Sequence, residues 1–132
     1  MRQDVPEGYY NLPLGKACHL TQGNDLTIIT YGAPVHKALE IIKNIDTHTF
    51  DLIDLRSLCP LDKNAIINSV KKTGKAIILQ EDSMFGGLAS EISSIIMESC
   101  FEFLDAPVIR VASLDTPIPV SYTHLRAHET LL

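Results

Sequence analysis

Asp25-Leu26-Thr27-Ile28-Ile29-Thr30-Tyr31-Gly32, followed by Ala33-Pro34-Val35-His36-Lys37-Ala38-Leu39-Glu40-Ile41-Ile42-Lys43, decides the fold class. The first run is apolar, partly β-branched and short, and it stops at a glycine. That is the pattern of a strand, Leu26 to Tyr31, buried on both faces. From Pro34 the period changes: Val35, Ala38, Leu39, Ile42 and Ile45 recur at helical spacing, with His36, Lys37, Glu40 and Lys43 between them. Pro34 suits a first helical turn, where its missing N–H is not needed.

The same alternation continues outward. A short strand over Ala17 to Thr21 precedes a Gly23-Asn24 turn, and Phe50 to Leu55 forms another. Pro60-Leu61-Asp62 offers an N-cap to a helix with Ile66, Ile67 and Val70 on one face, closed by Lys71, Lys72 and Gly74. Ala76 to Leu79 reads as a strand. Gly86-Gly87 opens the longest helix, with Leu88, Ile92, Ile95, Ile96 and Phe103 on its inner face. Val108 to Val111 is the last strand. Strand-helix-strand units with short connections imply an α/β domain: a mostly parallel sheet with helices on both faces.

A chain of 132 residues suits one compact domain. The net charge of −5 shows no basic concentration, which argues against a nucleic-acid surface. No apolar run reaches the roughly 20 residues of a membrane span, and no basic-then-apolar leader opens the chain. Cys18, Cys59 and Cys100 are odd in number and form no CxxC pair, as expected of reduced thiols in a cytoplasmic compartment.

Several residue groups could carry chemistry. Gly86-Gly87 could present backbone N–H groups to a phosphate, but Ser83-Met84-Phe85-Gly86-Gly87 lacks both the GxGxxG spacing and a Walker lysine, and close helix packing is the simpler reading. Glu81 and Asp82 fall at a strand end, where open α/β sheets place ligands; they read as acid–base groups or as solvated carboxylates. Arg56 follows Asp54-Leu55 and pairs either locally or with another subunit. Tyr31-Gly32 ends a strand. His124 and His128 have zinc-compatible spacing, with Glu129 outside the pair.

Phe101-Glu102-Phe103-Leu104-Asp105-Ala106-Pro107-Val108-Ile109-Arg110-Val111, running on to Asp115-Thr116-Pro117-Ile118-Pro119, joins a helix end to a strand through an acidic corner. Pro107 cannot continue a helix, and Ala106 before it is pushed toward extended geometry. This stretch resembles the closing segment of the beta subunit of thiamine-diphosphate-dependent 2-oxo acid dehydrogenases of the pyruvate and branched-chain type. Four further segments resemble the same family. They are Tyr10-Asn11-Leu12-Pro13-Leu14-Gly15-Lys16-Ala17, the strand beginning at Asp25, Ile53-Asp54-Leu55-Arg56-Ser57-Leu58-Cys59-Pro60-Leu61-Asp62, and Ser69-Val70-Lys71-Lys72-Thr73-Gly74. Gly86-Gly87 with Glu91-Ile92 resembles the family's helix start, though Ala89-Ser90 replaces its usual Gly-Ala pair. The likeness runs from about Val5 to Val120. Tyr122 to Leu132 instead resembles translated sequencing-adapter sequence, so residues 1–16 read as an entry linker, 17–120 as the domain and 121–132 as an adventitious tail.

The resemblance implies a transketolase C-terminal-like fold, a three-layer α/β/α domain with a five-stranded, mostly parallel sheet. It implies a fragment of the beta component, serving subunit assembly and docking while the parent enzyme oxidatively decarboxylates a 2-oxo acid. Thiamine diphosphate and magnesium then belong to the parent, and this chain carries no catalytic, cofactor-binding or metal residue; the isolated chain is expected to be inactive. The implied partners are an alpha subunit or domain, a second beta subunit and the peripheral binding domain of the lipoyl acyltransferase. Asp105 matches a position that helps receive that basic domain; read from sequence alone, it serves equally well as a turn residue. Self-association is expected through the last helix or the Asp115-to-Pro119 exit. The alternative is an independent small α/β nucleotide-binding protein, or an enzyme using strand-end acids.

Overall fold

The computed structural model describes residues 3–116. Its elements, in chain order, are β1 (Cys18–His19), β2 (Leu26–Thr30), α1 (Pro34–Lys43), β3 (Phe50–Asp54), α2 (Lys63–Thr73), β4 (Ala76–Ser83), α3 (Leu88–Cys100) and β5 (Ile109–Ser113), with a 3-10 turn over Phe101–Phe103 between α3 and β5. The strands form one sheet in the order β1-β3-β2-β4-β5. β1 runs antiparallel to β3, and every other pairing is parallel. The α/β reading and the mostly parallel five-stranded sheet hold.

Local signals set the helix ends. Pro34 starts α1 with no side-chain cap, and Lys43 stands in its last turn. Asp62 caps α2 by accepting from the Ala65 N–H at 3.2 Å through Oδ1. Its Oδ2 accepts from Ala17 N–H at 2.9 Å, which pins the chain entering β1. Gly74 closes α2 in the left-handed region at φ +74, with its N–H on the Val70 carbonyl, a conformation in which a side chain is strained.

The register separates the two faces of the sheet. Ile29, Ile53 and Ile78 point toward α2 and α3, where they meet Ile66, Val70, Ile92 and Ile96 in the fully buried core. Ile28, Ile77 and Leu79 point the other way, toward α1. Helix α1 covers only part of that second face. Ile109 and Val111 of β5, register partners of Ile77 and Leu79, are 54% and 45% exposed. Among the described residues the third layer is therefore one helix wide.

The sequence reading needs correcting at several boundaries. β4 extends past Leu79 to Ser83, through a register shift against β5 between Leu79 and Ser83, so Glu81 and Asp82 lie inside the strand. Phe103 is not on the inner face of α3, because the helix tightens into a 3-10 turn that leaves this ring half exposed. Ile45 lies beyond the end of α1 and is also partly exposed. The segment read as a tail, 121–132, with His124 and His128, lies outside the described residues.

Beneath α2 lies a buried polar network. The fully buried Asp51 of β3 accepts from Ser69 Oγ and from Lys72 Nζ at 3.1 Å, and His19 Nδ1 of β1 stands 3.2 Å from its other oxygen. Thr27 extends the network through 2.7 Å contacts with Ser69 and Thr73. Burial disfavours the Asp51 carboxylate. The hydrogen bonds from Ser69, Lys72 and His19 more than offset this and hold its carboxyl below the usual carboxylate range. A carboxyl with a folded pKa lowered in this way stabilises the fold above its unfolded value, about pH 4. That contribution is lost as pH falls through the folded pKa. Asp51→Ala is expected to cost on the order of 3 kcal/mol at neutral pH, because it removes the hub of a buried network. Urea unfolding as a function of pH checks both: the variant should lose part of the wild-type stability decline on the acid side.

Candidate functional site

At the α3–β5 junction the structure brings together the acidic corner and an apolar wall. Ser93 and Met97 lie four residues apart on α3, with Phe101 next in the same progression at the helix end. Together with Leu104, Asp105, Pro107 and Val108, Met97 and Phe101 line an open groove of about 440 Å³. Met97 is 51% and Phe101 66% exposed, while Leu104 and Val108 pack partly against the core. Exposed Glu98 and Glu102 sit at the same end of α3. Lys71 of α2 lies over the Phe103 ring, 5.1 Å from its centroid.

Asp105 joins the turn through its main chain, its N–H donating to the Gly74 carbonyl at 2.8 Å. Its carboxylate lies against the Gly74 Cα, close enough that a Cβ there would collide with Oδ2. The residue as a whole remains exposed. Main-chain atoms thus satisfy the turn, and the exposed Asp105 shares the groove with the apolar wall. Sequence reasoning picked out Asp105 and missed Met97 and Phe101, whose apolar character on a helix reads as core. The signal available was their position on the exposed side of α3, off the Ile92-Ile95-Ile96 stripe.

The other candidates resolve differently. Gly87 is the N-cap of α3, and the buried Gln80 side chain fills the space where a phosphate would lie. Gln80 Oε1 accepts from the Ala89 N–H at 2.8 Å, and its Nε2 donates to the Ser83 carbonyl at 3.0 Å. A Cβ on Gly87 would overlap this amide and the Ser83 carbonyl. Close packing thus explains the glycine, and Gln80 is the cap that sequence reading missed.

Glu81 and Asp82 line an open depression of about 510 Å³ with Tyr31 and Ser113, at the carboxyl ends of β2, β4 and β5. Burial, followed by the Asp82 and Glu81 charges, pushes the Tyr31 hydroxyl above its ordinary value. Both carboxylates are exposed. Arg56 takes the local reading: its N–H donates to Asp54 Oδ1 at 3.1 Å and its Nε stands 3.9 Å from Oδ2, with the backbone at φ +57. The three cysteines are free, and burial pushes the Cys100 thiol up. Among the described residues no group of three or more His, Cys, Asp or Glu is placed to hold a metal ion, and no helix is long and apolar enough to cross a membrane.

The family model described as "Transketolase, C-terminal domain" matches residues 15–131. The chain belongs to this family. That match extends into the segment read as a tail. Among proteins similar to it, the mitochondrial 2-oxoisovalerate dehydrogenase subunit beta of Dictyostelium discoideum is 39% identical, over 98% of this chain and 37% of that protein. The pyruvate dehydrogenase E1 component subunit beta of Bacillus subtilis is 44% identical, over 91% of this chain and 38% of that protein. A solved structure titled "Split gene transketolase, inactive beta4 tetramer" superposes with a TM-score of 0.71 at 29% identity, over 85% of this chain and 38% of that one. The chain thus spans little more than a third of the length of these three relatives.

The packing reading of the glycine pair has a direct consequence. Gly87→Ala should destabilise the domain by about 1–3 kcal/mol through overpacking against Gln80. Gly86→Ala, with open space but φ +73, should cost about 1 kcal/mol. Urea unfolding measures both, and inorganic phosphate should leave the wild-type midpoint unchanged.

Proposed function

We propose that the chain is the C-terminal part of the beta component of a 2-oxo acid dehydrogenase, acting in subunit assembly and in docking to the lipoyl acyltransferase core. One observation carries this reading: identity of 39–44% across about nine-tenths of the chain to beta subunits of both pyruvate and 2-oxoisovalerate dehydrogenases. The folded unit is assigned to residues 17–120, with 1–16 as entry linker and 121–132 as an appended tail, in a cytoplasmic compartment. Thiamine diphosphate and magnesium are assigned to the portions of the parent enzyme that lie outside this chain. Its own role is structural, towards an alpha subunit or domain and a second beta subunit.

Two surface features support that role. Exposed Asp105 can steer and orient a basic partner, here the peripheral binding domain of the acyltransferase. The part of the sheet that α1 leaves uncovered, with Ile109 and Val111 exposed, offers an apolar surface for a subunit contact. The reading as an independent nucleotide binder finds no support at Gly86-Gly87, where Gln80 occupies the helix end.

By itself the chain is expected neither to bind thiamine diphosphate with magnesium in calorimetry nor to reduce an acceptor dye with pyruvate or branched 2-oxo acids. Co-expressed with an alpha subunit and the remaining portion of a beta subunit, it should restore dye reduction. Turnover by the chain alone, or no restoration by a folded chain, would overturn the reading.

Sedimentation across concentration should show self-association at micromolar levels or above, the two-fold dimer being the commonest symmetric outcome. Val111→Glu should shift the equilibrium toward monomer. A strict monomer at every concentration would count against the assembly role.

A further inference from the structure

We propose that Ala17 to Thr21, which contain β1, form a strap at the edge of the sheet that opens and recloses while the rest of the domain stays folded, with Asp62 and Asp51 as its two fastenings.

The two carboxylates divide their oxygens in the same way. Asp62 gives Oδ1 to the Ala65 N–H of α2, at 3.2 Å, and Oδ2 to the Ala17 N–H, at 2.9 Å. Asp51 gives Oδ2 to Ser69 and Lys72 of α2, and Oδ1 stands 3.2 Å from His19 Nδ1. Release of the strap therefore frees one oxygen of each acid and leaves the bonds to α2 in place. Stripping a buried charge of its partner is normally costly. Here Ser69 and Lys72 still hold Asp51, and the freed oxygen is on the side that opening hydrates.

The strap gives little to the core. Ala17 packs against it in part, and Cys18, Leu20 and Thr21 are only half-buried. Its other bonds are to the outer edge of β3. The Leu20 N–H donates to the Leu52 carbonyl at 2.9 Å, and Thr21 Oγ1 donates to the Phe50 carbonyl at 2.6 Å while accepting from the Leu52 N–H at 3.2 Å. Groups at a sheet edge pass to water when the outer strand leaves. Local opening draws on segments of this kind, with few buried apolar contacts.

The chain on either side defines the limits of the movement. Residues 3–14 are exposed, so Asp62 takes hold where the entering chain meets the fold. Gly23 is a fixed pivot at the other end: it is buried, and a Cβ there would collide with the Thr49 and Phe50 backbone. Just beyond it, Asp25 Oδ2 accepts from the Thr49 N–H at 2.6 Å. Displacement of the entering chain is thus taken up between Gly15 and Gly23 and does not reach the core.

Native-state hydrogen exchange of the full chain, read residue by residue across sub-denaturing urea, tests this. The reference is the Thr27 N–H of the central strand, which donates to the Lys75 carbonyl at 2.9 Å. The Leu20 N–H is expected to exchange about 100-fold faster or more, with a much weaker dependence on urea, because opening the strap exposes little surface. Asp62→Asn keeps an oxygen for the Ala65 N–H, asparagine being as good an N-cap, but has none left for Ala17. It should speed Leu20 exchange about tenfold without steepening its urea dependence. His19→Ala should speed it severalfold. Equal rates and equal urea dependence at Leu20 and Thr27 in the wild-type chain would mean that the edge opens only with global unfolding, and would overturn the proposal whether or not the variants fold. Leu20 exchange unchanged in both variants would remove the two acids as fastenings and overturn it as well.

Discussion

Among the described residues the five-stranded sheet is wider than the single helix that covers one of its faces, and most other features follow from that mismatch. On the α2–α3 side two helices lie side by side across the sheet, so Ile29, Ile53 and Ile78 are fully buried and a continuous core forms. On the α1 side one helix, about 10 Å across, leaves β5 uncovered, and its aliphatic residues face outward. Burial drives folding roughly in proportion to the apolar area removed from water. The well-covered face therefore contributes most of the stability, and on the other face Ile109 and Val111 of β5 stay exposed among the described residues.

The same asymmetry explains where polar groups are tolerated. Asp51, Thr27, Ser69 and Thr73 are buried on the well-covered face and are satisfied by one another and by Lys72 and His19. This network joins β1, β2, β3 and α2. An apolar replacement could fill the space but would not tie the two-residue strand β1 to the sheet. Asp62 does similar work from the other end, capping α2 through one carboxylate oxygen and holding Ala17 through the other. A strand as short as β1 has few ladder bonds of its own, so these two carboxylates help define its place, together with the bonds of Leu20 and Thr21 to β3.

Much of this was legible in the sequence where a residue type has one physical use. The run from Leu26, the proline at the start of α1, Asp62 before α2 and Gly74 after it all fall where their chemistry predicts, because caps and buried strands are local decisions. What was not legible depends on a partner far away in the chain. Gln80-Glu81-Asp82 looks like the end of a strand, yet β4 continues through it to pair Ser83 with Ser113, and Gln80 turns inward to cap α3. Asp51 looks like a surface residue until Ser69 and Lys72, three residues apart on α2, are placed above it. Phe103 reads as a continuation of the α3 stripe, and only the tightening of the last turn moves it off. At the candidate site, Asp105 stood out as an acid in a proline-marked corner, whereas Met97 and Phe101, already off the Ile92-Ile95-Ile96 stripe, were given no role.

That last distinction bears on how a helix–strand corner is read. A carboxylate at a helix–strand corner can be explained by its own turn, and at Asp105 the main chain already satisfies the turn, through the Gly74 carbonyl. The side chain is thereby free for another use, and its position against Gly74, where no Cβ can be accommodated without displacing it, holds it near the groove. Gly74 couples the corner to the fold, since it must remain side-chain-free both to end α2 in the left-handed region and to leave room for the Asp105 carboxylate.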